Sequence, residues 1–203
     1  LLVQYRMHED IMRHPSAQFY DGRLQAADSV ARHLLRDLPG VSDDELTDCA
    51  VRFIDTSGSS YEEERETAGS SLGNPEEAAL ATKKAMDLIA LGVRPEDIAI
   101  ITPYTAQVRL LREHMRNEAV EIGSIDGFQG REKEAVIISL VRSNADNEIG
   151  FLRDTRRMNV ALTRARRKLI VIGDSATIAN HPFYSGLLSH FDSIGAYHGV
   201  WDE

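Results

Sequence analysis

Short, wholly apolar runs recur along this chain, separated by stretches in which apolar residues return at helical spacing. Ile98 to Ile101, Glu134 to Val141 and Leu169 to Ile172 read as buried strands, Val51 to Asp55 as an alternating one, and Val120 to Ile122 as a short one. Leu1 to Val3 reads as the end of another strand. Between them lie predicted helices. Ile11 to Tyr20 is helical, with Pro15 expected to bend or interrupt it. Ser29 to Leu38 is a second, stopped by Pro39-Gly40. Asn74 caps a third, with Pro75 at its first position and Glu77 three residues on; it runs to Leu91 and ends at Gly92. Ala106 to Asn117 places Val108, Leu111 and Met115 on one face, and Thr155 to Arg166 forms a further helix. Gly173-Asp174-Ser175 turns into a last helical region, and His181-Pro182 opens a helix to Phe191. Thr56 to Gly73, rich in Ser, Gly and Glu, is expected to be a mobile surface loop.

Continuous apolar strands separated by helices predict an α/β domain, a mostly parallel sheet with helices on both faces. Ligands in such sheets sit beyond the carboxyl ends of the strands. Thr102-Pro103-Tyr104, Ser124 to Gly127, Ser143-Asn144 and Gly173-Asp174 are expected at that edge.

Length and composition narrow the class. The 203 residues, 42% apolar, suit one domain with insertions or two small ones. The single cysteine, Cys49, excludes an intramolecular disulfide framework and reads as a small apolar filler. The histidines show no ligand spacing, so no metal site is expected. No apolar run approaches the ~20 residues needed to span a bilayer, and the amino terminus does not read as a signal peptide. An intracellular, cytoplasmic and monomeric protein is expected. The chain opens without Met inside a strand, which suggests a fragment of a longer protein.

A net charge of −9 argues against nucleic acid if taken alone. The charge is uneven. Asp43 to Glu66 carries nine acidic and two basic residues, whereas Arg131 to Lys168 carries ten basic and five acidic. Local charge, rather than the total, selects partners. Arg156, Arg157, Arg164 and Arg166 fall within one predicted helix, where like charges repel unless an anion meets them. Guanidinium groups suit phosphate oxygens, so a nucleotide phosphate is the leading candidate ligand.

Four segments then resemble a known group. Gln4-Tyr5-Arg6-Met7-His8, with Pro15-Ser16 and Phe19 to Leu24, resembles motif IV of superfamily 1 helicases. Ile101-Thr102-Pro103-Tyr104 with Gln107 resembles a nucleic-acid-contacting segment of the same group. Ser124 to Lys133 resembles motif V, and Arg156 to Arg166 resembles motif VI. Their order and spacing are closest to the nonsense-mediated-decay branch, and within it to the immunoglobulin-mu-binding-protein type of helicase.

The resemblance implies the second, carboxyl-terminal RecA-like domain of a two-domain motor. Arg6 and Arg164 match the two arginines that reach the γ-phosphate of ATP. Tyr5 matches an aromatic that stacks on the base, with Gln4 beside it. Glu132 matches a residue that accepts hydrogen bonds from the nucleotide, at the ribose, and Gln129 and Gly130 shape its loop. Thr102, Pro103, Tyr104 and Ser124 match contacts to single-stranded DNA or RNA, on the same edge as the ATP half-site. No Gly-x-x-x-x-Gly-Lys-Ser/Thr sequence occurs, and Asp43-Asp44-Glu45 reads as a solvated run rather than a magnesium site. Those parts, with the Mg²⁺ ligands, are implied to belong to the amino-terminal RecA-like domain. A nucleic-acid-binding module that does not hydrolyse ATP is the alternative, disfavoured by the Arg6, Glu132 and Arg164 set.

Overall fold

The computed structural model describes residues 2–203 apart from Ala68 and Gln129. In chain order, β1 (Val3–Gln4), α1 (Glu9–Phe19), β2 (Gln25–Ala26) and α2 (Asp28–Ala31) lead to β3 (Val51–Asp55). A small hairpin, β4 (Glu64–Arg65) with β5 (Leu72–Gly73), precedes α3 (Pro75–Ala90) and β6 (Ile98–Thr102). Then come α4 (Thr105–His114), β7 (Glu121–Ser124), β8 (Lys133–Ser139), α5 (Thr155–Leu162), β9 (Ala165–Gly173), α6 (Ser175–Ile178), α7 (Pro182–Ser193) and β10 (Tyr197–Gly199).

The main sheet has six strands in the order β10-β3-β9-β8-β6-β7, and every neighbouring pair is parallel. Side chains alternate across a strand, and this divides the core in two. Ala99, Ile101, Val136, Ile138, Leu169 and Val171 meet α1, α5 and α7 through Ile11, Met158, Leu162, Tyr184 and Phe191. Ile98, Ile100, Ala135, Ile137, Ile170 and Ile172 meet α3 and α4 through Ala81, Leu88 and Leu111. The expected layers, strands and α3 cap are present; Asn74 accepts a hydrogen bond from Glu77 N at 3.0 Å.

Several expectations need correction. α1 continues through Pro15, because a buried stripe including Ile11, Met12, His14 and Pro15 packs that face into the core. The helix expected over 29–38 is instead α2 and a separate turn at Leu35–Asp37. There the Asp37 carboxylate accepts from Leu34 N at 2.7 Å, and His33 bonds the Arg166 carbonyl at 2.8 Å. The segment 56–73 is in part docked: Thr56 is buried, and Glu63 pairs with Arg142 at 2.7 Å. Cys49 is a polar contact. Its Sγ lies 2.9 Å from Nζ of the buried Lys168.

Two buried acidic networks hold the periphery. Glu203 is 3% exposed at its side chain and bridges Arg52 (2.9 Å) and Lys84. Glu203→Ala leaves Arg52 and Lys84 with only their longer pairs to Glu45 and Asp87, each at 3.7 Å, and is expected to cost about 3 kcal/mol, toward the low end for a broken buried pair. Urea denaturation of the two proteins measures it. At the end of β8, Glu77 is buried and accepts from Leu140 N (2.9 Å) and Val141 N (2.8 Å). It thereby holds Val141 at φ +73, a conformation that a β-branched residue rarely adopts.

Candidate nucleotide half-site

The site starts with a turn. Gln4 Oε1 accepts from Arg6 N (2.8 Å) and Met7 N (2.7 Å), and its Nε2 donates to Met7 O (2.8 Å). Its amide thus shapes the turn that presents Tyr5 and Arg6. Tyr5 is 71% exposed, which excludes a core role. His8 N donates to Arg166 O at 2.9 Å, fastening this segment to the first residues of β9.

The helix predicted over 155–166 ends at Leu162. Thr163 closes it by donating from both N and Oγ1 to Asn159 O, at 3.1 and 2.8 Å. Lys133 N then donates to Arg164 O at 3.0 Å and draws the chain into the sheet. Arg164 consequently lies in the turn before β9, while Arg166 and Arg167 lie on the strand.

The polar cluster that results joins residues far apart in sequence. Arg6 Nε donates to Glu132, and Arg6 Nη1 to Thr163 O at 3.3 Å. Among the described residues Arg6 does not pair with its sequence neighbours Glu9 and Asp10, whose carboxylates lie 3.4 and 3.6 Å from Arg13. Arg166 stands 3.7 Å from Glu132 and 3.4 Å from Glu134. Arg164 donates to two backbone carbonyls, Val160 O (3.0 Å) and Arg131 O (3.1 Å). Among the described residues it forms no ion pair. Burial, and then the nearby Arg6 charge, push the Arg164 guanidinium below its ordinary pKa. An arriving anion relieves both penalties. Gly130 sits at φ +80 with open space where a Cβ would be, so its need for glycine is conformational. Gln129 lies outside the described residues.

The cluster stands at the amino ends of the strands. Lys133 pairs with Ala165 where β8 and β9 begin, and Glu132 and Arg164 directly precede those residues. Thr102 and Ser124 instead end β6 and β7, at the carboxyl edge. The expectation of one shared edge is therefore wrong. In a parallel sheet a loop entering one strand and a loop leaving another face opposite ways.

The proposed nucleic-acid residues divide on burial. Thr102 is fully buried and Tyr104 is 4% exposed, so neither side chain is open to a strand in this conformation. The Tyr104 hydroxyl is used internally, accepting from Phe151 N at 3.4 Å. Pro103 and Ser124 are half-buried at the surface, and Ser124 lines a cleft of about 420 Å³ with Arg109, Arg112 and Arg131.

Among the described residues no group of three or more His, Cys, Asp or Glu side chains could hold a metal ion. Among the described residues no helix is long and apolar enough to cross a membrane.

With this geometry in view, the family described as an AAA domain matches residues 1–176. The chain belongs to that family. More narrowly it is a superfamily 1 helicase domain of the UPF1-like type, from the carboxyl-terminal domain region. It is 51% identical over 197 residues to the rat protein named DNA-binding protein SMUBP-2, covering 96% of this chain and 20% of that one. It is 46% identical over 185 residues to the DNA polymerase alpha-associated DNA helicase A of Schizosaccharomyces pombe, covering 88% of this chain and 28% of the relative. The ATP-dependent helicase upf1 of the same yeast is 37% identical over 208 residues, covering 96% of this chain and 22% of the relative. The chain thus spans between a fifth and a third of the length of these relatives, and its six-stranded parallel sheet with helices on both faces is the α/β architecture expected from its sequence.

Proposed function

We propose that this chain is the carboxyl-terminal motor domain of an ATP-dependent helicase or translocase acting on single-stranded DNA or RNA. On this reading Arg6 and Arg164 complete an ATP site whose phosphate loop and Mg²⁺ ligands belong to an amino-terminal RecA-like domain. The observation that carries it is Arg164: a guanidinium aimed by backbone carbonyls, beside a second arginine, with no carboxylate in ion-pair contact among the described residues and Glu132 only partly offsetting the cost of its charge.

Hydrolysis of a phosphoanhydride develops charge on the transferring phosphoryl oxygens, and donors already in place stabilise that charge most. Arg164 fits as such a donor. Arg6 is held by Glu132 and must exchange that carboxylate for phosphate oxygens. The exchange would release Glu132 to accept from the ribose, and Tyr5, exposed beside Arg6, is free to stack on the base. Because both arginines come from the second domain, they act only when the cleft closes, which couples hydrolysis to domain motion. That motion steps the protein along a strand lying across the carboxyl edge, near Pro103 and Ser124. Backbone-directed contacts of this kind are sequence-tolerant and weaken as salt rises.

The expected result for this chain alone is no measurable ATPase and weak nucleotide binding, since it contains no Gly-x-x-x-x-Gly-Lys-Ser/Thr sequence. A coupled phosphate-release assay on rigorously purified chain tests it, and robust turnover would sink the shared-site reading. Turnover that stays absent when a phosphate-loop domain is supplied would favour the non-hydrolysing module instead.

A further inference from the structure

With Tyr104 buried, the carboxyl edge still presents an exposed aromatic. Phe151 is 61% exposed and forms a T-shaped pair with Tyr104, the ring centroids 5.5 Å apart at an interplanar angle of 66°. Its turn, Gly150–Arg153, is built to hold it there. Gly150 has φ +51, and a Cβ on it would come 2.1 Å from Arg142 Nη1 and 2.8 Å from the Tyr104 hydroxyl. Only glycine fits. Phe151 N donates to that hydroxyl, and Arg142, itself fixed by Glu63 at 2.7 Å, reaches it from the other side at 3.5 Å. Tyr104 and Arg142 are thus the pedestal of Phe151.

The charge around this ring is suited to an anionic polymer. Arg153 and Arg156 are exposed and form no ion pair among the described residues. Glu148, as close to Phe151 in sequence as Asp154, stands 3.9 Å from Arg142, and Asp154 and Asp126 are both engaged by Arg157, at 3.3 and 3.5 Å. That last contact also joins the start of α5 to the segment following Ser124.

We propose that Phe151 is a base-stacking platform for single-stranded nucleic acid, with Arg153 and Arg156 meeting the flanking phosphates. This deepens the helicase reading above and rests on it. A phenyl ring held by one T-shaped contact and otherwise 61% exposed is preorganised for a planar apolar partner. Every base offers a π-face, so such a stack tolerates any sequence, and guanidinium groups on either side supply the phosphate contacts. The Tyr104 contact uses only part of the ring and leaves most of its surface in water.

The test is fluorescence anisotropy of this chain at low salt with end-labelled oligothymidylate and oligouridylate. Phe151→Ala is expected to weaken binding by roughly tenfold, within the range for loss of one base–aromatic stack, and Phe151→Trp to stay within about twofold. The slope of log affinity against log salt should be unchanged by Phe151→Ala, whereas Arg156→Ala should reduce it by about 0.7, one phosphate contact on a single strand. Phe151→Ala binding within about twofold of the parent overturns the stack while leaving the helicase reading intact. Weakened binding with a flattened salt slope also overturns it, because the turn has then collapsed and taken the arginines with it. If the parent chain binds neither oligonucleotide, the single-strand reading itself fails, and this inference with it.

Discussion

Arg164→Ala, in a polypeptide that also carries the phosphate-loop domain, is expected to lower kcat for ATP hydrolysis by about 10³-fold or more, the range for an arginine finger. Nucleotide affinity should fall far less, because these contacts strengthen mainly in the transition state. The size follows from how Arg164 is held. Two carbonyls fix its direction, and burial together with Arg6 makes its charge costly until an anion arrives. Arg164→Lys should recover little, since an ammonium cannot reproduce a planar fork that bonds carbonyls and phosphate together. Arg6→Ala is expected to match this loss in kcat. Arg6 begins from its ion pair with Glu132, so Glu132→Gln should loosen Arg6 and change KM as well. Steady-state kinetics with nucleic acid present decides the matter: a kcat within about threefold of the parent for Arg164→Ala refutes the assignment.

A second large effect is expected on stability. Glu77→Ala removes the acceptor of two buried backbone N–H groups and the clamp on Val141. A cost of about 3 kcal/mol is expected, from the penalty for buried unsatisfied donors. The pH dependence has a definite sign. Burial, outweighing hydrogen bonds from Val141 and Leu140, raises the Glu77 pKa from 4.5 to about 8. The folded state therefore holds this proton more tightly than the unfolded chain. The stability it contributes is complete below about pH 4.5 and is lost as pH rises toward about 8. His14 acts oppositely. Burial, and then His190, lower its pKa to about 4, so its contribution is lost as pH falls from 6.5 to about 4. Glu77→Gln should flatten the decline in Tm between pH 5 and pH 8 and leave the acid limb in place. Equal slopes for parent and variant over that interval would show that Glu77 keeps its ordinary titration.

Local signals were legible in the sequence wherever the physical cause is itself local. The Asn74-Pro75-Glu77 start of α3 needs only its own side chains, and the apolar runs of β6, β8 and β9 need only burial on both faces. The resemblance likewise singled out Arg6, Glu132 and Arg164 by residue, and the fold brings these three side chains near one another. What only the tertiary structure decided depends on pairing across distance. The Arg6–Glu132 contact joins residues 126 apart, which no window of sequence contains. α5 stops short of Arg164 because a strand ladder with β8 competes successfully for Ala165 onward, and helical periodicity carries no information about that competitor. β10 escaped notice because its polar residues become a strand only by lying beside β3. The edge on which each motif falls follows from strand direction, so two motifs close in sequence can face opposite ways. Burial separated Tyr104 from Phe151. Tyr104 directly follows β6 and Phe151 sits in the turn before α5, but Gly150, Arg142 and Glu63 fold over the first and leave the second in water.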